Sequence, residues 1–241
     1  MIELEHVTKT FGRITAVQDL CLKIPKGELF CFIGPNGAGK TTTIKLLCGL
    51  LHPTAGRIRI GKIDLQNDPF TPHKFIGYIS DSPFLYDLLT PEEFFEFTGD
   101  LYQIPQDVII RERSEYFTLF DLWPYAQTLI KDLSHGLRQR LIYAATLLHK
   151  PTVLFVDEPL VGLDPFSIRL IRSLFRQKVA EGMTVFLTTH ILSLAEDLAD
   201  RIGIIYEGRM IAVGSLAELK TQSAIEGPLE DIFLQLTSGK R

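Results

Sequence analysis

Cysteine is scarce in this chain of 241 residues. Its three cysteines, Cys21, Cys31 and Cys48, are too few and too irregularly spaced for a disulfide framework or a zinc cage. All three stand among apolar residues, which predicts small buried thiols in a reducing compartment. The sequence thus argues against a disulfide-stapled secreted domain.

An excess of positive charge is missing as well. The chain has 25 Lys and Arg against 29 Asp and Glu, for a net charge of −4. No tail or stripe is strongly basic, so binding to the phosphates of a nucleic acid has little electrostatic support. We expect no nucleic acid partner.

Long apolar runs are also lacking. None approaches the ~18 consecutive apolar residues of a membrane span. Residues 1–6 carry acidic side chains where a signal peptide needs a basic start. We therefore expect a cytoplasmic protein that becomes peripheral on the inner face of the cell membrane only through a membrane partner.

What the chain does have is an ordinary globular composition, 46% hydrophobic and 22% charged, which excludes wholesale disorder. Apolar β-type segments alternate with helical patterns, and this alternation predicts an α/β fold with a parallel core. The predicted strands cover residues 2–7, 16–24, 28–33, 57–60, 75–79, 153–156, 184–188, 202–206 and 209–213. The predicted helices cover residues 40–50, 167–180, 192–198 and one or two segments within 216–236.

Residues 90–150 differ from the rest because they contain no convincing strand. Thr90 and Pro91 are typical of a helix start, with threonine as the N-cap and proline at the first helical position. Helical patterns continue over residues 108–119 and 136–149. The simplest interpretation is a mostly helical subdomain inserted into the α/β domain.

A glycine-rich loop joins the third predicted strand to the first predicted helix. The segment Gly34-Pro35-Asn36-Gly37-Ala38-Gly39-Lys40-Thr41 fits the phosphate-loop pattern G-x-x-x-x-G-K-[ST] in full. Its glycines allow positive φ and close approach of a ligand, so that the backbone amides and the helix N-terminus point at phosphates.

The side chains of this loop suit a nucleoside triphosphate. We expect Lys40 to contact the β- and γ-phosphates, the Thr41 hydroxyl to bind Mg²⁺, and Thr42 to reach the α-phosphate. The alternative is a glycine-rich turn that binds nothing. In that case Lys40 would be an unpaired charge beside positive backbone dipoles, which favours the phosphate site.

A second pair of candidate residues follows an apolar strand. Residues 153–156 are wholly apolar and end in Asp157 and Glu158, so the strand delivers Asp157 to the carboxyl edge of the sheet. Asp157 can hold Mg²⁺ through water, and Glu158 can polarise an attacking water. Two adjacent carboxylates are equally typical of a solvated strand end, but the phosphate loop upstream favours the metal site.

Many P-loop proteins share the two motifs described so far. A third segment distinguishes among them, Leu133-Ser134-His135-Gly136-Leu137-Arg138-Gln139-Arg140. It resembles the LSGGQ signature of ABC-transporter ATPases, and residues 157–165 resemble that family's Walker B motif and D-loop. His190 falls at the switch-histidine position and Phe11 at the aromatic position that stacks on adenine. The resemblance extends from Ile2 to Leu219.

The resemblance implies a single P-loop NTPase domain with a mainly parallel sheet, an N-terminal antiparallel β subdomain and an inserted α-helical subdomain. The core and β subdomain would comprise residues 1–89 and 151–214, and the signature subdomain residues 90–150. Residues 215–241 would form a short helical tail.

The resemblance also implies a mechanism in which two ATPase copies dimerise head to tail around ATP and Mg²⁺. Ser134 and Gly136 of one copy would close on the γ-phosphate held by the other, and Asp164 would link the two sites. Glu158 would act as the base or orienter of water, with His190 bridging toward the γ-phosphate. The purely structural alternatives are that Phe11 is a core residue, that His190 only lies beside the start of a helix, and that Ser134 is only an N-cap.

The sequence departs from the family pattern at a few positions. Asp81 stands where the family usually has the glutamine that contacts Mg²⁺ or water, and His135 and Leu137 replace a glycine and a glutamine of the signature. Leu160 and Val161 replace residues with hydrogen-bonding side chains in the D-loop. Because Lys40, Asp157, Glu158 and His190 are all retained, we expect an active ATPase.

The family resemblance further implies separate transmembrane permease subunits and a second ATPase copy, identical or different, with efflux as the transport direction. Residues 81–89 are a candidate dock for the permease. Alternatively, Phe84, Leu85 and Tyr86 pack inside the helical subdomain. The competing functions are a soluble ATPase of this type acting on DNA or ribosomes, and a regulatory subunit that binds ATP without hydrolysing it.

Overall fold

The computed structural model describes residues 1–82, 84–160, 163–223, 225 and 227–238. The strands are β1 (Ile2–Phe11), β2 (Ile14–Ile24), β3 (Leu29–Ile33), β4 (Ala55–Ile60), β5 (Ile63–Asp64), β6 (Ile76–Ile79), β7 (Val153–Asp157), β8 (Thr184–Thr189), β9 (Arg201–Tyr206) and β10 (Arg209–Gly214). The helices are α1 (Lys40–Leu47), α2 (Pro91–Leu101), α3 (Gln106–Leu119), α4 (His135–Leu147), α5 (Pro165–Ala180), α6 (Leu192–Leu198), α7 (Leu216–Ser223) and α8 (Leu229–Ser238).

The central sheet has six strands in the order β10-β9-β3-β8-β7-β6. The five strands from β9 to β6 are parallel, and β10 pairs antiparallel with β9 across the turn at Gly208. Every residue of β3, β7 and β8 is buried because helices or a second sheet cover both faces. The predicted α/β fold with a mainly parallel sheet is confirmed.

An antiparallel sheet in the order β2-β1-β4-β5 packs with α1 on one face of the central sheet. Apolar residues from both sheets meet there, and the rings of Phe30 and Phe186 stack at 5.6 Å. The predicted antiparallel β subdomain at the N-terminal end is therefore present. Its core fixes α1, and with it the glycine-rich loop, against the central sheet.

Helices α2, α3 and α4 lie between β6 and β7 in the chain and share a core with the other face of the central sheet. The predicted start of α2 is correct. Thr90 Oγ1 accepts a hydrogen bond from the Glu93 amide at 3.2 Å, and the Thr90 amide donates to the Glu93 carboxylate at 2.8 Å. Pro91 occupies the first helical position.

The C-terminal helices α7 and α8 pack on the same core through Leu219, Leu229 and Ile232. Among the described residues, no helix is both long enough and apolar enough to cross a bilayer.

The prediction for the cysteines is correct for two of the three. Cys31 and Cys48 are buried, and burial raises the pKa of both thiols. Cys21 is exposed, and the prediction is wrong there, because the side chains of β2 alternate between the core and solvent, and Leu20 and Leu22 take the core positions on either side of it.

Candidate functional site

The glycine-rich loop lies at the carboxyl end of β3, and its glycines serve two different purposes. Gly37 and Gly39 have φ of 80° and 108°, as predicted. Gly34 does not adopt positive φ, so that prediction is wrong. A Cβ at Gly34 would overlap the Ile205 carbonyl oxygen and lie 2.9 Å from its Cγ2 atom, so glycine is required there for close packing against β9.

Lys40 is the first residue of α1, and its side chain is buried. Its Nζ atom donates to the carbonyl oxygens of Gly34 at 2.8 Å and Pro35 at 3.2 Å, and lies 3.6 Å from Glu158 Oε1. The argument that Lys40 would be an unpaired charge if the loop bound nothing is therefore wrong, because the loop folds its own carbonyl groups around the ammonium. These contacts hold the ammonium at the start of a helix, where backbone amides also gather positive potential.

Asp157 ends β7, and its side chain is completely buried. Its Oδ1 atom accepts a hydrogen bond from the Thr188 hydroxyl, the residue opposite it on β8. Its Oδ2 atom is buried and finds no hydrogen-bond partner within the described chain. Burial raises the pKa of Asp157, and the hydrogen bond from Thr188 and the nearby Thr41 hydroxyl oppose that change.

A buried carboxylate oxygen without a partner is a place for a cation. The oxygen ligands available to such a cation are the Asp157 carboxylate, the Thr41 hydroxyl and the exposed Asp81 carboxylate. Such hard oxygen ligands are those that Mg²⁺ prefers. The residues present thus fit the predicted magnesium site.

Glu158 follows Asp157 with φ of 50°, a left-handed conformation that costs a non-glycine residue about 1–2 kcal/mol. Its amide donates to the Thr188 carbonyl oxygen at 3.1 Å. Its Oε2 atom lies 2.9 Å from Nδ1 of His190. The strained backbone therefore turns the Glu158 carboxylate toward both His190 and Lys40, as a catalytic position would require.

A cavity of about 230 Å³ lies beside Lys40, Glu158 and Asp81. It is lined by Ala16, Asn36, Gly37, Gly39, Lys40, Thr41, Thr42, Asp81 and Glu158. Of the predicted loop residues, Gly34, Pro35 and Ala38 do not line the cavity. Ala38 is buried, donating its amide to the Pro35 carbonyl oxygen at 3.2 Å.

Two residues of this site were missed from the sequence. Thr188 holds the Asp157 carboxylate, and the Thr-Thr pair at the end of the apolar β8 run was the available signal. The Ala16 carbonyl oxygen lies where a Cβ on Gly39 would be. Nothing in the local sequence marks Ala16, because its position follows from the packing of β2 beside the loop.

Ser134, Gly136 and Asp164 do not line this cavity. Ser134 caps α4, accepting from the Leu137 amide at 3.3 Å. A Cβ on Gly136 would lie 3.2 Å from Asp164 Oδ2. The signature and the start of α5 are therefore neighbours, forming a surface separate from the loop.

Asp164 caps α5 by accepting hydrogen bonds from the Ser167 amide at 3.0 Å and the Ser167 hydroxyl at 2.6 Å, which lower the pKa of Asp164. Arg140 Nε donates to the same Ser167 hydroxyl at 3.0 Å. Arg140 lies within the predicted signature, but the sequence predicted no function for its side chain. In the D-loop, Leu160 is buried and Val161 lies outside the described residues.

Phe11 ends β1 with 46% of its surface exposed, and Lys9 Nζ lies 5.0 Å from its ring centre. The alternative interpretation of Phe11 as a core residue is therefore wrong. Like His190, which contacts Glu158 instead, Phe11 does not line the cavity around the loop.

A groove of about 640 Å³ lies along residues 84–89, within the segment predicted as a dock, and is completed by Phe97 of α2. Phe84 is 80% exposed and Leu88 is 76% exposed, whereas Leu85 is buried. The alternative prediction of interior packing is therefore correct for Leu85. It is wrong for Phe84 and Tyr86, which are exposed. Pro83 lies outside the described residues.

Known proteins resemble the chain over nearly its whole length. The family model "ABC transporter" matches residues 17–161, more than half of the chain, and a model described as "AAA domain, putative AbiEii toxin, Type IV TA system" matches residues 127–196. The probable multidrug ABC transporter ATP-binding protein YbhF of Escherichia coli (strain K12) is 38% identical over 98% of this chain. The chain spans 41% of the length of that relative.

Two solved structures extend the comparison to the fold. The ATP-binding subunit of an ABC transporter superposes with a TM-score of 0.93 at 29% identity, covering 98% of this chain and 99% of that one. A dimeric ATP-binding cassette in a post-hydrolysis state, bound to ADP and Pi, gives a TM-score of 0.78 at 27% identity and covers 90% and 99% of the two chains.

Proposed function

The chain belongs to the ABC transporter family, and from that premise we propose that it is a nucleotide-binding subunit that hydrolyses ATP and powers transport by separate membrane subunits. The observation that carries the proposal is the meeting of Lys40, Asp157 and Glu158 at one edge of the central sheet. Lys40 Nζ lies 3.6 Å from Glu158 Oε1, and both residues line the cavity at the glycine-rich loop.

ATP binding rests on the glycine-rich loop and α1. The amides at the start of α1 face the phosphates, Lys40 contacts the β- and γ-phosphates, and Thr42 reaches the α-phosphate. Exposed Phe11 offers its ring to the adenine. Thr41, Asp157 and Asp81 would hold Mg²⁺, which supplies neutralising charge at the β- and γ-phosphate oxygens.

Hydrolysis rests on Glu158 and His190. The Glu158 carboxylate accepts a proton from the attacking water or orients it, and His190 fixes that carboxylate at 2.9 Å from its Nδ1 atom. Little covalent chemistry falls to the protein, so positioning and electrostatic stabilisation provide most of the rate enhancement. The intact Glu158–His190 contact favours turnover over a regulatory subunit that only binds ATP.

Dimerisation gives the separate surface of Ser134, Gly136 and Asp164 its role. Ser134 and Asp164 are exposed helix caps, and the N-terminus of α4 attracts anions. In a head-to-tail dimer, this surface of one copy closes on the γ-phosphate held by the second ATPase copy. The similarity to a dimeric cassette bound to ADP and Pi supports this arrangement.

The membrane subunits would bind at the groove of residues 84–89 and Phe97. Its exposed aromatic and aliphatic side chains suit an apolar helix of a permease. Efflux is the proposed direction, supported by the multidrug name of the relative YbhF. The protein then lies at the cytoplasmic face of the membrane through these partners.

Within this assembly we assign residues 1–89 and 151–214 to the ATP-binding core with its β subdomain, residues 90–150 to the signature subdomain and residues 215–241 to the tail. The competing function, an ATPase acting on DNA or ribosomes, gains no support from the relative's name or from the net charge of −4.

The test is steady-state ATP hydrolysis with Mg²⁺ by the wild-type chain and by Glu158→Gln, with the size-exclusion mass of each in ATP. We expect wild-type turnover, a fall of about 10²–10⁴-fold in the variant, and an ATP-dependent dimer of the variant. The matched control is Glu207→Gln, since Glu207 also has positive φ, 48°, but lies in the β9–β10 turn. Binding of ATP by the wild type without turnover or dimerisation would contradict the proposal.

A further inference from the structure

Three side chains with different donor atoms meet on the outer face of the antiparallel sheet, away from the glycine-rich loop. They are His6 on β1 and Asp19 and Cys21 on β2. All three are exposed. None of them has a role in the proposed function.

A bulge between β1 and β2 creates this grouping. Leu4 pairs with Leu22 and Val7 pairs with Leu20, so two residues of β1 stand opposite Cys21. His6 and Asp19 both have left-handed φ, of 50° and 51°. The bulge thereby brings side chains of both strands to one point on the surface.

The donor atoms lie close enough to share one ion. His6 Nδ1 is 2.7 Å from Asp19 Oδ1 and 3.5 Å from Cys21 Sγ, and all three donors lie within 4.8 Å of one another. The His6 amide also donates to Cys21 Sγ at 3.3 Å, which holds the sulfur in place. Imidazole nitrogen, carboxylate oxygen and thiolate sulfur are the ligands that zinc takes in proteins.

From this geometry we propose that His6, Asp19 and Cys21 bind a divalent transition metal of the zinc type, with a fourth position open to water. Tetrahedral bonds of ordinary zinc length place nitrogen and sulfur about 3.5 Å apart, which matches the observed separation. They place nitrogen and oxygen about 3.3 Å apart, so the His6–Asp19 pair opens by roughly half an ångström as the ion replaces their hydrogen bond.

This site differs in chemistry from the candidate magnesium site. Its sulfur and nitrogen donors select zinc, cobalt or copper over magnesium. Cys31 and Cys48 are buried and remain outside it. The bound ion joins the edge strand β2 to its neighbour β1. Because it binds the folded chain, it raises the free energy of unfolding as its concentration rises above its Kd.

The experiment titrates the untagged, reduced chain with Co²⁺ and follows the near-ultraviolet absorption that a thiolate–cobalt bond produces, then displaces Co²⁺ with Zn²⁺. We expect one equivalent to bind. We expect Cys21→Ser to abolish the band, and His6→Ala and Asp19→Asn to weaken binding by roughly tenfold or more. His52→Ala is the matched control, since His52 is exposed but lies outside the cluster.

A second readout uses the exposure of Cys21. Zn²⁺ should protect this thiol from a thiol-specific reagent in the wild type and in His52→Ala, and should fail to protect it in His6→Ala. Melting curves without metal establish that each variant folds. The proposal is overturned if the cobalt band is missing, if it survives Cys21→Ser, or if Zn²⁺ leaves the reactivity of Cys21 unchanged.

Discussion

The Nδ1 atom of His190 lies 2.9 Å from Oε2 of Glu158, and the His190 amide faces the same oxygen at 3.4 Å. The residue that follows β8 therefore orients the carboxylate that follows β7. Since β7 and β8 are adjacent parallel strands, the sheet itself sets the distance between the two side chains.

Replacing His190 with alanine should slow turnover without weakening ATP binding. A hydrogen bond to a charged group contributes about 1.5–3 kcal/mol. If that energy is lost in the transition state, kcat falls about tenfold to a hundredfold. Lys40 and the loop remain intact, so the Kd for ATP should stay within about twofold. Steady-state kinetics and nucleotide titration measure the two quantities, with His52→Ala as the control. A rise in Kd matching the fall in kcat would place His190 in ATP binding instead.

Gly34→Ala should reduce both stability and ATP affinity. The added Cβ would overlap the Ile205 carbonyl oxygen, so β9 or the loop must move. Such overpacking typically costs about 1–3 kcal/mol of unfolding free energy. Gly12→Ala is the control, because Gly12 has φ of 57° and no described residue would lie within 4 Å of a Cβ there. It should cost about 1–2 kcal/mol from backbone strain and leave ATP affinity unchanged. Denaturant unfolding and nucleotide titration distinguish the two, and equal ATP affinities would contradict the packing argument.

His149 should make the fold less stable in mild acid. Its Nε2 atom lies 2.9 Å from the Ile76 carbonyl oxygen, and its Nδ1 atom is buried and, in the described chain, without a partner. Burial therefore lowers the pKa of His149 below its ordinary value of 6.5, although the bond to Ile76 opposes this. The unfolded chain then binds a proton at higher pH than the folded chain, so stability is lost as pH falls below about 6.5.

His149→Gln keeps a donor for the Ile76 carbonyl group but removes the titrating ring. The difference in Tm between about pH 7.5 and pH 5.5 should therefore be smaller in this variant than in the wild type. His73→Gln is the matched control, because His73 Nε2 lies at the same 2.9 Å from a backbone carbonyl oxygen, that of Cys48. If both variants change the pH dependence equally, the buried Nδ1 atom is not the cause.

Phe84→Ser should separate stability from partner binding. Phe84 is 80% exposed, so the unfolding free energy should change by no more than about 0.5 kcal/mol and the isolated chain should keep its ATPase rate. The fraction of the protein that sediments with membranes should fall. Phe70→Ser provides the comparison, since Phe70 is 78% exposed but lies outside the groove. Equal loss of both variants from the membrane fraction would argue against the groove as the dock.

The sequence predicted those features that depend on short, contiguous patterns. The glycine-rich loop combines residue type, spacing and a strand–helix context, and the start of α2 at Thr90 follows from capping chemistry alone. The alternation of strands and helices likewise predicted the parallel core.

Features that depend on strand order were beyond the sequence. Thr188 lies beside Asp157 because β8 is inserted between β3 and β7. Gly34 needs to be glycine because β9 runs on the other side of β3. Cys21 is exposed because only one face of the antiparallel sheet packs on the central sheet, and its neighbours Leu20 and Leu22 occupy that face.

The chain between β6 and α2 has a mechanical consequence. It is short, and it carries Asp81 at the phosphate cavity and Phe84 and Leu88 at the surface groove. A partner bound in the groove would contact the same segment between β6 and α2 that carries Asp81 at the phosphate cavity. The carbonyl oxygens of Asp87 and Leu89 in this segment accept hydrogen bonds from the amides of Lys131 and Ile130, so pressure from a partner would reach both the signature subdomain and the residue chain that carries Asp81.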